Sequence, residues 1–166
     1  MANENMSMSA AGLAALRQRE HAVLHYYNDV ANNCTWGVGT LAHQGPCTAE
    51  ELQRTVTVTD VDRELANRVQ DAERAVRRQV RNQQLTQDQF DALVSYTYNL
   101  GATGARTALQ AADQGNSNEV TRQMNAHVYV HPRDSRGRAL PPVRVQGLVN
   151  RRRDETAPFQ AGQGAP

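Results

Sequence analysis

Glu20-His-Ala-Val-Leu-His-Tyr-Tyr-Asn-Asp-Val-Ala-Asn-Asn-Cys-Thr-Trp-Gly-Val-Gly39 is the stretch in which the chain changes character. Leu13, Leu16, Val23, Leu24 and Tyr27 recur at helical spacing, which predicts an amphipathic helix from about residue 10 to 26. From Asn28 to Gly45 the pattern breaks. Asn, Asp and Gly punctuate short β-prone pieces around Cys34-Thr-Trp-Gly-Val-Gly-Thr-Leu41, as in a small hairpin or a three-stranded sheet. On this reading Glu20 lies near the helix end, Asp29 in the following turn and Thr35 at the start of the first strand. A helix end and a β-turn can bring such side chains to two sides of one groove. Glycosidic bond hydrolysis needs that division of labour: one carboxyl donates a proton, and another activates water or attacks the sugar. Taken alone, the trio is more readily a surface Glu and an Asp that caps a turn.

Working outward, Thr48 with Glu51 forms a capping box that starts a short helix. Val61, Leu65, Val69, Ala72, Val76 and Val80 follow steps of three or four residues, predicting a long helix over about 60–82. Thr86 with Gln89 caps the next helix, which carries Phe90, Leu93, Val94 and Tyr98 as core and stops near Gly101. Further helices are expected over 105–113, from Ser117, and over about 147–156, with a Pro- and Arg-rich loop across 128–146. Residues 1–9 and 160–166 are polar and expected to fray. The fold class is therefore α+β and mostly helical. It comprises a small β-sheet N-lobe (about 10–59), a connecting helix (about 60–82) and a helical C-lobe (about 83–159).

No apolar run is long enough to span a membrane, so no membrane insertion is expected. Met1 to Ser9 does not read as a secretory signal. The net charge of +1 conceals an unusual distribution: all eighteen basic residues are Arg. Seven of them lie between His127 and Asp154, against two acids, so that segment either attracts an anionic polymer or is a solvated surface. The Arg residues lack interleaved aromatics, which argues against nucleic acid. Cys34 and Cys47 flank twelve residues, Thr35 to Pro46. Folding that glycine-punctuated segment back brings its ends within reach of a disulfide, the alternative being two buried thiols. One His beside two Cys is an incomplete ligand set, so no metal is expected. Trp36 can stack on a sugar or pack in the core of the small lobe, and the core is the preferred reading.

Three separated motifs carry a resemblance. Glu20, eight residues, Asp29, five residues, Thr35, then Gly37-x-Gly39 resembles the catalytic signature of the phage-type lysozymes, glycoside hydrolase family 24. Leu85-Thr-Gln-Asp-Gln-Phe-Asp-Ala-Leu-Val-Ser-Tyr-Thr-Tyr-Asn-Leu-Gly101 is similar to that family's central helix. Gly147-Leu-Val-Asn-Arg-Arg-Arg-Asp-Glu155 is similar to its C-terminal helix. The resemblance implies a lysozyme-like fold and a muramidase acting on peptidoglycan glycan strands, without cofactor. It implies Glu20 as general acid, Asp29 as the carboxylate assisting water, and Thr35 as the hydroxyl holding that water. Leu41, Tyr98, Asn99 and Thr107 fall where the family lines its saccharide groove, and Arg151 or Arg152 is the candidate to pair with the acid. His21 after the acid and Thr40 after Gly-x-Gly depart from the usual residues, as does the long Arg-rich stretch from Asn125 to Val145. Such a protein would be made in the host cytoplasm and act in the periplasm as a monomer. It would be a phage endolysin or a secreted antibacterial effector, the latter with an immunity protein as partner. The rivals are a lytic transglycosylase and a non-catalytic cell-wall-binding module.

Overall fold

A computed structural model of the chain describes residues 1–160. The frayed tail expected over 160–166 lies outside the described residues, apart from Gln160. The chain forms two compact units. One comprises Met1–Leu16, Arg68–Val128 and the segment from Gln146; the other comprises Arg17–Asn67 and Tyr129–Val145. Lobes drawn in sequence order therefore need correcting, because residues before Arg17 join the helical unit and the segment after Val128 returns to the β-containing one.

Helix α1 (Ala10–Arg19) begins in the helical unit, and only its last residues, from Arg17, belong to the β-containing unit. There a three-stranded antiparallel sheet follows: β1 (Val23–Asn28), β2 (Cys34–Gly37) and β3 (Thr40–His43), in the order β1-β2-β3. The helix expected to reach residue 26 ends at Arg19. The apolar spacing beyond it was a coincidence of period: Leu13 and Leu24 are exposed, while Tyr26 and Tyr27 pair with Trp36 and Thr35 on β2. The aromatic, β-prone Val23–Asn28 run finds its hydrogen bonds across a sheet. Arg17 and Arg19 in the last turn suit the negative end of the helix dipole. Thr48 and Glu51 complete the capping box of α2 (Ala49–Leu52), and α3 (Val58–Gln79) follows.

In the helical unit, α4 (Gln87–Asp113), α5 (Ser117–Asn125) and α6 (Gln146–Gln160) pack pairwise. Phe90, Leu93, Val94, Tyr96, Leu109 and Met124 are fully buried there. The stop expected near Gly101 is a kink. Gly101 takes φ 81° and ψ 165°, a conformation open to glycine, and helix resumes beyond it.

Residues 1–9 do not fray. Asn3 is 1% exposed, and its Nδ2 donates to the carbonyls of Val80 and Gln83, both at 2.9 Å. Its Oδ1 accepts from Leu85 N at 2.9 Å and Gln84 Nε2 at 3.1 Å. One side chain thus saturates the turn between α3 and α4, using every donor and acceptor it has. Polar composition concealed this, because an Asn reads as disordered until the orphan backbone groups it serves are known.

Cys34 and Cys47 form a disulfide with Cα atoms 4.5 Å apart. Beside it His43 Nε2 meets Glu51 Oε1 at 2.9 Å, and His43 Nδ1 meets the carbonyl of Gln44 at 2.9 Å. Both ring nitrogens face acceptors, so the imidazolium is favoured. The Gln44 carbonyl, then the Glu51 carboxylate, raise the His43 pKa above its ordinary 6.5. Glu51 is held at about 2, first by the Thr48 backbone N–H and then by His43. Cys34, His43 and Glu51 place ligand-type atoms within 4.8 Å of one another, but the disulfide already uses the sulfur.

Two outcomes follow from these contacts. Asn3→Ala leaves buried backbone groups without partners and should cost about 1–3 kcal/mol, read as a lower urea midpoint at unchanged m-value. The His43–Glu51 clasp should show opposite signs at its two ends. Glu51 contributes fully above its ordinary 4.5, and that contribution disappears as pH falls through about 2. His43 contributes fully below 6.5, and its share is lost as pH rises through the elevated folded value. Urea unfolding from pH 4 to 9 should therefore lose this alkaline-side slope in His43→Gln.

Candidate active site

Asp29 follows β1, and its carboxylate builds the turn into β2. Oδ1 accepts from the backbone N–H groups of Ala31 and Asn33, both at 2.9 Å. Asp29 N donates to the Asn33 carbonyl at 3.0 Å, closing the loop, and Asn32 takes the left-handed φ of 59° that Asn tolerates. The second oxygen, Oδ2, lies 3.2 Å from the Thr35 hydroxyl, which is also 3.1 Å from the Asn33 carbonyl. Thr35 is 2% exposed, so its single proton is shared between two fixed acceptors. Leu41 is the cross-strand partner of Thr35 on β3 and is exposed, which puts an apolar contact on the same face.

Glu20 sits at the bend directly after α1 and is half-buried. It lines a pocket of about 480 Å³ with Arg17, Gln18, His21, Ala22, Val38 and Val61. The Gly37-x-Gly39 motif shapes the wall. Gly37 has φ 62°, and a Cβ there would come 3.2 Å from Val61 Cγ2. A side chain at 37 would be strained in its backbone and pressed against α3.

The remaining sequence-predicted residues belong to the helical unit. Tyr98 is 5% exposed, with the Arg68 guanidinium 4.2 Å over its ring. Asn99 Oδ1 accepts from Arg152, and the Thr107 hydroxyl donates to Gln123 Oε1 at 3.0 Å. Arg151 and Arg152, both buried, ion-pair with Glu155, which is 1% exposed and also accepts from Ser95. Sequence reasoning missed Tyr27, the β1 partner of Thr35, because it placed that residue on a helix.

The family model for phage lysozyme matches residues 17–155. The chain belongs to the phage lysozyme family. The enzyme is accordingly a glycoside hydrolase of the muramidase type. It is similar in structure to an endolysin from Escherichia coli O157:H7 phage FAHEc1, with a TM-score of 0.71 and 28% identity over 98% of both chains. The muramidase domain of SpmX from Asticaccaulis excentricus shares the fold, with a TM-score of 0.70 and 23% identity over 98% of this chain and 100% of that one. No curated protein matches the sequence.

The enzyme's Arg-rich stretch, expected to be a loop, is a hairpin. β4 (Tyr129–Val130) pairs with β5 (Val143–Arg144), Arg133 bridges Ala139, and Leu140 N donates to the Pro132 carbonyl at 2.9 Å. Asp134 organises the tip: its Oδ1 accepts from the N–H groups of Arg136 and Arg138, and its Oδ2 from Arg138 Nε, all at 2.9 Å. Hairpins are hard to see in Pro- and Arg-rich composition, since the signal here is only Asp134 to Gly137, the turn with φ 77° at the glycine. The hairpin grips the Asp29 turn. Arg133 N donates to the Val30 carbonyl at 3.1 Å, and Asn32 Nδ2 donates to the Asp134 carbonyl at 3.2 Å. Replacing Pro132–Leu140 by two glycines removes both bonds. At about 0.5–1.5 kcal/mol each, kcat on soluble glycan fragments should fall about tenfold, with KM changed less. An unaltered kcat would show that the Asp29 turn stands without the hairpin.

Proposed function

We propose that the enzyme hydrolyses the β-1,4 bond between N-acetylmuramic acid and N-acetylglucosamine, with Glu20 as general acid and Asp29 and Thr35 handling the water. The observation that carries this reading is the Asp29–Thr35 pair. One carboxylate oxygen is immobilised by two backbone N–H groups, while the other shares the Thr35 proton. A water resting on Thr35 and Asp29 has an acceptor for the proton it must lose. In the reaction, the Glu20 carboxyl gives its proton to the glycosidic oxygen as the C1–O bond breaks. Water forms the new C1–O bond on the opposite face and passes its proton to Asp29. Proton exchange with solvent resets both carboxyls. Holding the water before the bond breaks removes an entropic part of the barrier.

Leu41, on the Thr35 face, supplies apolar contact to the sugar. Tyr98, Asn99 and Thr107 belong to the same reading as substrate contacts, and Arg151 or Arg152 as the partner of the acid. A lytic transglycosylase closes the sugar on itself and has no need of a water-holding pair. A non-catalytic wall-binding module has no need of either carboxyl. The site of action is the bacterial cell wall, reached as a phage endolysin or as a secreted antibacterial effector.

Glu20→Gln should keep the fold and bind peptidoglycan but lose lysis by a factor of about 10²–10⁴ or more, since the amide has no proton to give. Turbidity of chloroform-treated Gram-negative cells measures this, and near-normal lysis would remove the acid assignment. The released sugar should carry the inverted anomeric configuration. Products ending in 1,6-anhydro sugar would establish the transglycosylase instead.

A further inference from the structure

The sheet has a second face that the proposed reaction does not use. Tyr26 and Trp36 are cross-strand partners next to the Tyr27–Thr35 pair. Side chains alternate along a strand, so Tyr26 and Trp36 point to the side opposite Thr35. Their rings lie 6.4 Å apart and 28° from parallel, both are half-buried, and the Arg54 guanidinium lies 5.3 Å over the Tyr26 ring. Together with Asp60, Arg63 and Glu64 they line a pocket of about 340 Å³. Trp36 was expected to be core. Its position at a pocket wall leaves part of a large apolar ring open to solvent.

The lining states what would fit. A pyranose has an apolar C–H face, suited to an aromatic ring, and a rim of hydroxyl and amide groups that need both donors and acceptors. Arg54 and Arg63 are donors, while Asp60 and Glu64 are acceptors. Two positive and two negative side chains cancel, which selects a neutral ligand over a polyanion or a stem-peptide carboxylate. At about 340 Å³ the pocket falls within the range of roughly 300–1,000 Å³ usual for small-ligand sites, with Tyr26, Trp36 and Val56 as its apolar part and Arg63 facing Asp60 at 3.7 Å on its polar side. We infer that this pocket is a second saccharide site, taking an N-acetylhexosamine unit of a glycan strand other than the one undergoing cleavage. The inference rests on the muramidase reading for the identity of the polymer. Its consequence is retention: an enzyme held to the insoluble wall through this face stays near fresh substrate between cleavages.

Trp36 is the sole Trp of the chain, so its indole N–H gives one unambiguous NMR signal. Full-length Glu20→Gln protein titrated with chitotetraose should show saturable shifts both at Trp36, Arg54 and Thr55 and around Val38 and Val61. Adding Arg54→Ala, an exposed change, should abolish the first set and keep the second. Shifts confined to the Val38–Val61 group would overturn the second site, as would a Trp36 response to a free stem tripeptide in place of chitotetraose. In otherwise wild-type protein, Tyr26→Ala and Arg54→Ala should each weaken sedimentation with intact sacculi about tenfold and leave kcat on soluble glycan fragments unchanged. Unchanged sedimentation in both variants would overturn the inference. Wild-type lysis of the same sacculi is measured alongside. Lysis without the Trp36 shifts sinks only the second site, whereas absence of lysis and of all shifts sinks the muramidase reading with it.

Discussion

The Asp29 carboxylate does two jobs with four lone-pair directions. Oδ1 is consumed by the Ala31 and Asn33 amides, which fix the turn, and Oδ2 faces the Thr35 hydroxyl. Catalytic groups placed on loops are usually limited by the loop's freedom. Here the loop is folded around the carboxylate that we propose takes the proton of the water, so the placing of that carboxylate and the stability of the turn are one quantity. The requirement also explains the local sequence. An Asp that caps its own turn needs donors two and four residues on, and a residue at position 32 that accepts a positive φ at little cost.

Around that turn, the unit is tightened from several directions. The Cys34–Cys47 disulfide closes a segment of sequence separation 13, which in the chain-entropy account is worth about 3 kcal/mol. Cys34 is adjacent to Thr35, so the covalent tie acts one residue from the hydroxyl. The hairpin from Tyr129 grips the turn through the Val30 carbonyl and the Asn32 amide. Two of its arginines, Arg133 and Arg138, bond within the hairpin itself, to the Gly137 carbonyl and to Asp134. Much of what composition shows as a cationic stretch is thus internal scaffolding.

The helical unit is organised differently, around a buried charge network. Glu155 receives Arg151, Arg152 and Ser95, and Arg152 continues to Asn99 and to the His127 carbonyl at 2.9 Å. Buried ion pairs bring little net stability because desolvation offsets attraction, but removing one partner strands the other. The network instead fixes which face of α6 meets α4, the two helices that carry the second and third of the three motifs. Burial lifts the Tyr96 hydroxyl to about 12, with the Arg152 guanidinium opposing the shift and the Glu155 carboxylate adding to it, which keeps the phenol a neutral partner for His127 at 2.7 Å.

What the sequence determined by itself were features written within a few residues of one another. The capping boxes at Thr48 and Thr86, the three- and four-residue periodicity of α3 and the interruption at Gly101 depend on local geometry, and local geometry is readable from order along the chain. Tertiary structure alone decided the rest. Val23–Asn28 became a strand because β2 was available to receive its hydrogen bonds, overriding an apolar spacing that a helix would also satisfy. Asn3 was ordered by carbonyls some eighty residues away, and the Arg-rich stretch became a hairpin whose anchor is a turn about a hundred residues earlier. Each of these outcomes satisfies a backbone donor or acceptor with a partner outside its own element, six to fourteen residues along for β1 and some eighty to a hundred for Asn3 and the hairpin. The apolar pattern of a segment does not say which of those partners it will meet.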